Sequence, residues 1–222
     1  MKFQQELEAL YEKARDAQAR GQSKESEVLE SKAAAILQTL KDHAEHNPED
    51  VGTASILLYL AEREWTLLGD HEHVLSRLLQ ALALRENHLG LNHPLTAEAL
   101  TKVAEFHFVS GRFGEAEPLY RKALDVYDAQ RIQGNPIQAK AFEGLAHTLA
   151  ALGRAAEADP YFVQAIAECA SDEQGKRSLY FLLTSRAEGL EKLNRPAEAG
   201  AARQKAAALL HKTNPGEMGF HV

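Results

Sequence analysis

Two copies of one pattern decide the fold of this chain. Residues 111–124 read GRFGEAEPLYRKAL, and residues 153–166 read GRAAEADPYFVQAI, 42 residues later. Shorter copies start at Gly69 and Asn194, and a fainter one starts at Gly21. Self-similarity at a fixed period of roughly 20–50 residues is the signature of a repeat protein, in which each unit buries its apolar face against its neighbours. The sequence therefore predicts five consecutive units.

An alanine stands at the same place in all five copies. It lies twelve residues after the start of each, at Ala33, Ala81, Ala123, Ala165 and Ala206. A small residue at a fixed site is what two helices need where their backbones cross closely, because a larger side chain would wedge them apart. This register predicts a close helix crossing in every unit.

Each unit is predicted to be a helix, a turn and a second helix. In the third copy, apolar residues from Ala116 to Tyr127 recur at the spacing of an amphipathic helix, and another helical run, from Pro94 to Ser110, precedes the turn. Glycine adopts the left-handed conformation that ends many helices most readily, and asparagine is the second most favourable residue there. The residues predicted to do so are Gly21, Gly69, Gly111, Gly153 and Asn194.

Prolines are interpreted as marking helix starts. Pro94 and Pro136 are predicted to open first helices. Pro118 and Pro160 are expected close to the start of second helices, where backbone amides still lack an intrahelical partner and a proline costs little.

Composition excludes several classes of function. The net charge is −7, with 25 Lys and Arg scattered among 32 acids, so no basic face is predicted to neutralise nucleic-acid phosphates. The first residues, MKFQQELEALYEK, lack the apolar run of a signal peptide, and no apolar stretch approaches the roughly 20 residues that span a bilayer. The protein is therefore expected to be cytoplasmic, without membrane insertion.

Two stretches, LGLNHP at 89–94 and EAEPLY at 115–120, carry a family resemblance together with Ala97, Leu100, Ala104, Gly111, Ala123 and Leu124. They resemble a tetratricopeptide repeat of the kinesin-light-chain subclass. The resemblance implies an all-α fold, a right-handed superhelical solenoid of antiparallel helix pairs with about five repeats and ten helices over residues 1–212. The repeats are expected at approximately 4–43, 51–87, 94–130, 136–171 and 177–211, followed by a C-terminal tail at 213–222.

The resemblance also implies a mode of action. Such proteins bind a peptide or helix of another protein in a concave groove lined by the first helix of each repeat. By the family's alignment, the groove positions are Tyr11, Arg15, Tyr59, Arg63, Thr101, Glu105, Glu143, His147, Thr184 and Glu188. Phe108 and Phe181, together with Tyr59, are candidate aromatic anchors, for which packing between helices is the alternative.

One column of these positions changes in charge along the chain. It runs through Arg15, Arg63, Glu105, His147 and Glu188, from basic to mostly acidic. A partner segment with acids at one end and bases at the other would be complementary, although these side chains could equally be solvated charges. At other positions of the first helix, the subclass usually carries an Asn pair that grips partner backbones. This chain instead has Tyr59-Leu60, Thr101-Lys102, Glu143-Gly144 and Thr184-Ser185.

Catalytic and metal-binding patterns are weak. The pairs His43 with His46 and His71 with His73 lack a third ligand at a suitable spacing, and Cys169, the single cysteine, falls at a buried helix position of the repeat. Neither phosphate-binding glycine loops nor a nucleophile elbow occurs. No cofactor, metal or catalytic residue is therefore expected, and an enzyme is the least favoured class.

Two functions remain open. The favoured hypothesis is an adaptor or scaffold that holds a segment of a partner protein in the groove. The alternative is a self-associating unit that acts through its ends, because the Ala-rich last helix (199–210) and the apolar end of the tail could pack against a second copy.

Overall fold

The computed structural model describes residues 2–68, 71–130, 136–168 and 173–212. Within these ranges the chain forms ten helices and no strand, which confirms the predicted all-α fold. The helices are α1 (Lys2–Ala19), α2 (Ser23–His46), α3 (Val51–Leu68), α4 (His71–Leu89), α5 (Pro94–Val109), α6 (Phe113–Ala129), α7 (Pro136–Ala151), α8 (Ala155–Glu168), α9 (Glu173–Lys192) and α10 (Pro196–Lys212). The predicted tail, 213–222, lies outside the described residues.

The helices pack in sequential pairs within two compact units. The N-terminal unit, Met1–Gly90, contains the pairs α1 with α2 and α3 with α4. The C-terminal unit, Leu91–Val222, contains the pairs α5 with α6, α7 with α8 and α9 with α10. In the C-terminal unit the first helices also touch each other, α5 against α7 and α7 against α9, so that they form one continuous layer.

The alanine of the repeat register is buried in every pair. Ala33, Ala81, Ala123, Ala165 and Ala206 are each at most 2% exposed. Burial of this alanine in both units is what the close crossing predicted from the register requires.

The turns between paired helices share one backbone conformation. Positive φ angles occur at Gly21 (74°), Gly111 (73°), Gly153 (77°) and Asn194 (56°), as predicted, while Gly69 lies outside the described residues. In the third repeat the amide of Arg112 donates to the carbonyl of His107, and the amide of Gly111 donates to that of Phe108. This is the Schellman arrangement, which satisfies the carbonyls at a helix end.

The interpretation of Pro118 and Pro160 needs correction. Each is the sixth residue of its helix, because α6 starts at Phe113 and α8 at Ala155. Only the first four amides of a helix lack an intrahelical acceptor, so each proline removes an amide that would otherwise bond the carbonyl four residues earlier. The prolines thus interrupt the second turn, whereas Pro94 opens α5, where the His93 ring accepts from the amide of Leu95 at 3.1 Å.

Ion pairs connect successive repeats at equivalent positions. Arg154, in the turn before α8, donates to Glu117 on α6 at 2.7 Å, and Arg195, in the turn before α10, donates to Asp159 on α8 at 2.8 Å. Each arginine also binds a glutamate three residues later, in the first turn of its own second helix. Burial opposes ionisation of Asp159, but hydrogen bonds from Arg186 and Arg195 outweigh it and hold the pKa of this carboxyl below its usual range.

We expect Glu117→Gln to lower the free energy of unfolding by about 1 kcal/mol, because its carboxylate accepts charged hydrogen bonds from both Arg121 and Arg154 and is only partly exposed. Asp125→Asn, an exposed acid on the same helix, is the matched control and should change stability by less than about 0.5 kcal/mol. Urea denaturation of both variants measures the difference. Equal effects would contradict a role for Glu117 in joining repeats.

Candidate functional site

In the N-terminal unit, the predicted groove residues divide between surface and core. Arg15 is exposed, and the guanidinium of Arg63 lies over the ring of Tyr11, 4.2 Å from its centroid. Tyr59 is only 6% exposed and packs edge-on against Phe3, with ring centroids 5.7 Å apart. Tyr59 therefore packs between helices, which was the alternative to a role as an aromatic anchor.

In the C-terminal unit, the layer of first helices brings six predicted residues together. A cavity of about 210 Å³ between α5 and α7 is lined by Thr101, Glu105, Phe108, Glu143 and His147, together with Val109, Tyr120, Lys140 and Gly144. A second cavity, of about 300 Å³ between α7 and α9, is lined in part by Phe108, His147 and Glu188. Because both cavities share Phe108 and His147, they form one continuous surface, which we call the α5–α7–α9 surface.

Two predicted residues of α9, Phe181 and Thr184, lie outside both cavities. Phe181 is 52% exposed on α9, and Thr184, also on α9, bonds the carbonyl of Tyr180 at 3.0 Å. Thr101 lines the first cavity but is buried, and its hydroxyl donates to the carbonyl of Ala97 at 2.8 Å. The threonine hydroxyls are thus engaged within their own helices.

An aromatic cluster holds the centre of the surface in place. The ring of Phe108 is half-buried and lies 5.5 Å from that of Phe113 and 6.3 Å from that of His147. His147 in turn meets the buried Phe162 edge to face at 5.3 Å. Edge-to-face and tilted pairs at these separations are favourable, so Phe108 presents its remaining exposed area in a fixed orientation.

His147 contributes no stable positive charge. Burial lowers the pKa of its imidazole, and the carboxylate of Glu188 offsets this only in part. The ring is therefore neutral at neutral pH, and the charged groups of the surface are its glutamates and lysines.

Four residues that line the first cavity were not among the predicted site residues: Val109, Tyr120, Lys140 and Gly144. Tyr120, on α6, is only 2% exposed, yet it reaches the cavity wall. Its ring lies against Gly144 of α7 so closely that a Cβ atom at Gly144 would stand 2.2 Å from the ring's Cζ. A lone glycine inside a helical pattern often has such a packing reason, and this was the available signal.

Negative charge collects beside Tyr120. Burial raises the pKa of the Glu143 carboxyl; Lys140 opposes this and the like charge of Glu105 adds to it. Glu105 pairs with Lys102 at 3.5 Å. Among the residues that the structure describes, none forms a hydrogen bond or a close ion pair with Glu143. A half-buried carboxylate is thus left without a direct counterion.

The other candidate ligands do not assemble. His46 bonds the carbonyl of Asp42 at 2.7 Å and His43 lies beside Asn47, while Cys169 and the side chain of His71 lie outside the described residues. In the described ranges, no three His, Cys, Asp or Glu side chains are grouped to hold a metal ion. The helices described are also all too short or too polar to cross a bilayer.

Comparison with known proteins identifies the repeats. Residues 88–169 match the family model for the tetratricopeptide repeat. No curated protein matches the chain.

Solved structures share the fold at low sequence identity. A Podosopora anserina kinesin-light-chain protein with nearly identical TPR-like repeats is 21% identical, with a TM-score of 0.63 over 94% of this chain and 97% of that one. BtubC from P. vanneervenii is 16% identical, with a TM-score of 0.64 over 94% of this chain and 80% of that one. A Rap protein complexed with competence and sporulation factor is 12% identical, with a TM-score of 0.55 over 94% of this chain and 66% of that one.

Gly144→Ala should lower the free energy of unfolding by about 1–3 kcal/mol, because the added methyl group collides with the buried ring of Tyr120. Gly114→Ala is the matched control: it also replaces a helical glycine, but an added Cβ meets nothing within 4 Å. We expect the free energy of unfolding of that control to rise by about 0.5–1 kcal/mol. Thermal and urea unfolding of both variants test the contrast, and a stable Gly144→Ala protein would contradict the close approach.

Proposed function

We propose that this chain, whose residues 88–169 match the tetratricopeptide-repeat family, works by binding a segment of another protein, and that the α5–α7–α9 surface is where it does so. Repeats of this family generally mediate protein–protein interactions. The observation that carries the proposal is the pair of adjoining cavities, which meet at the ordered Phe108 and His147 rings and are flanked by Glu105, Glu143 and Glu188.

The dimensions of the cavities favour side chains of a partner over a free small molecule. At about 210 and 300 Å³, each lies at or below the lower end of the range of roughly 300–1,000 Å³ for small-molecule pockets. They follow one another along three successive first helices, as side chains follow one another along a peptide or helix. An ordered aromatic residue bordered by polar groups is also the usual centre of a protein interface.

A structural neighbour supports the same class of ligand. The Rap protein with this fold was solved in complex with competence and sporulation factor. For this chain we propose that a groove formed by its helix pairs receives a short segment of a partner.

The N-terminal unit is proposed to add basic contacts. Arg15 is exposed there, and Arg63 is held over Tyr11. Acidic residues of a partner would be attracted to these arginines, which raises association rate and selectivity more than affinity. Phe181 and Thr184 on α9 are proposed as further contacts.

The proposal predicts that peptides selected by display against the whole chain depend on Phe108. Phe108→Ala should weaken their binding about tenfold or more, since truncation of a central aromatic anchor commonly costs about 2 kcal/mol. Leu95→Ala is the matched control, because it removes a 44% exposed apolar side chain from the same helix outside both cavities. Isothermal titration measures both. Equal binding of the peptides to the wild type and to the Phe108→Ala variant would contradict the proposal that the α5–α7–α9 surface binds the partner.

Self-association is a second candidate, favoured by one observation. A trough of about 690 Å³ on α8, α9 and α10 has a mostly apolar lining that includes Val163, Ile166, Leu179, Leu183, Ala202 and Leu209. Val163 in this trough is 46% exposed. A second copy of the chain could cover such a face through the same trough on its own last helices.

Val163→Glu tests this candidate, because a charge in the trough would oppose burial in a dimer. If the candidate holds, sedimentation equilibrium at high concentration will show a dimer for the wild type and a monomer for the variant. Val28→Glu, at a 54% exposed position on α2, is the control and should remain dimeric. A monomeric wild type would exclude self-association.

A further inference from the structure

The trough on α8, α9 and α10 lies where the preceding repeat is filled by an aromatic side chain. In that repeat the ring of Tyr161 on α8 stacks on the ring of Phe142 on α7, with centroids 6.5 Å apart. The hydroxyl of Tyr161 accepts a hydrogen bond from Arg121 on α6 at 3.0 Å. Tyr161 thus closes the space between two successive second helices and the first helix that separates them.

One repeat later, the same three positions carry aliphatic residues. Counted from the turn residue of each repeat, they are Val163, Leu183 and Ala202, and all three line the trough. A methyl group at Ala202 therefore takes the place of the tyrosine ring, and the trough stays open with a volume of about 690 Å³. Val163 is left 46% exposed. An additional ring in the trough would cover an apolar surface that the preceding repeat buries.

The sequence that follows α10 carries apolar residues at a regular spacing. Residues 213–222 read TNPGEMGFHV. Met218, Phe220 and Val222 alternate with Gly219 and His221, and alternate side chains of an extended chain lie on one face. An extended tail would therefore present one apolar face with an aromatic ring at its centre.

The length of the tail matches the trough. Asn214-Pro215-Gly216 has the chemistry of a β-turn, with proline and glycine at its central positions, and would reverse the chain after α10. An extended chain rises about 3.3 Å per residue and a helix about 1.5 Å, so each residue of a returning tail would pass about two residues of α10. Starting level with the end of α10, the tail would bring Phe220 beside Lys205. It would bring Val222 beside Ala201, and both of these α10 positions line the trough.

We propose that the trough is covered by the chain's own tail, with Phe220 in the space that Tyr161 fills one repeat earlier. The trough shares no lining residue with the cavities of the α5–α7–α9 surface, so this contact does not depend on the proposed function. A short tether gives the tail an effective concentration of about millimolar, which favours it over a second copy at micromolar concentration. The tail would then close the trough to a second copy and keep the chain monomeric.

Disulfide formation within the full chain tests this contact. In a Cys169→Ser background, Ala201→Cys with Val222→Cys places one thiol in the trough and the other on the tail. The matched control, Ala207→Cys with Val222→Cys, places the first thiol at an exposed position of the same helix outside the trough. We expect an intramolecular disulfide to form about tenfold faster in the first variant, because a docked tail holds the two thiols close together. Adding Phe220→Ser should reduce this rate to that of the control.

Mass spectrometry and non-reducing electrophoresis separate the outcomes. Equal rates in the two cysteine pairs would overturn the tail contact. A disulfide that joins two chains at Ala201 would also overturn it, and would assign the trough to a second copy. A selective intramolecular disulfide that Phe220→Ser does not slow would overturn the placement of Phe220 in the trough. None of these results bears on the α5–α7–α9 surface, which is tested by the loss of peptide binding in Phe108→Ala.

Discussion

The close crossing of paired helices at a single alanine is the constraint on which the rest of the structure depends. At Ala123 and Ala165 the second helix can approach the first because no side chain beyond a methyl group intervenes, and both alanines are fully or almost fully buried. That approach places large residues of the second helix against first helices: Tyr120 lies against Gly144 of the next pair, and Phe162 lies against His147 of its own pair. The tyrosine then reaches the cavity between α5 and α7, and the phenylalanine supports His147. The site is therefore a consequence of the repeat geometry.

Stability in such an arrangement comes from each pair and from its contacts with the next pair. Apolar packing provides most of it, but the C-terminal unit adds a polar contact that recurs with the repeat. An arginine of one turn bonds an acid on the preceding second helix, as Arg154 does with Glu117 and Arg195 with Asp159. Because these groups are only partly exposed and each arginine makes two charged hydrogen bonds, they fix the register of successive pairs more firmly than isolated surface pairs would.

The sequence was sufficient for the helix pairs, their turns and the buried alanines, because each depends on local chemistry that repeats five times. The sequence was less informative about which side chains are buried and which reach a cavity. Periodicity assigned Tyr120 to an apolar face, but the cavity at its hydroxyl end depends on Gly144, 24 residues away and on another helix. The role of the two internal prolines was misjudged because only the first four amides of a helix lack an acceptor, and each proline lies beyond them. The neutral state of His147 depends on burial by neighbouring helices, which no local pattern reports.

The cavity between α5 and α7 also lowers the stability of the unbound protein. Because burial and Glu105 raise the pKa of Glu143, this carboxyl favours the folded state most when protonated, below the usual range of glutamate, and its contribution is lost as pH rises through the folded-state pKa. At neutral pH the ionised carboxylate therefore opposes folding, and the charge of Lys140 at the rim of the cavity offsets this only in part.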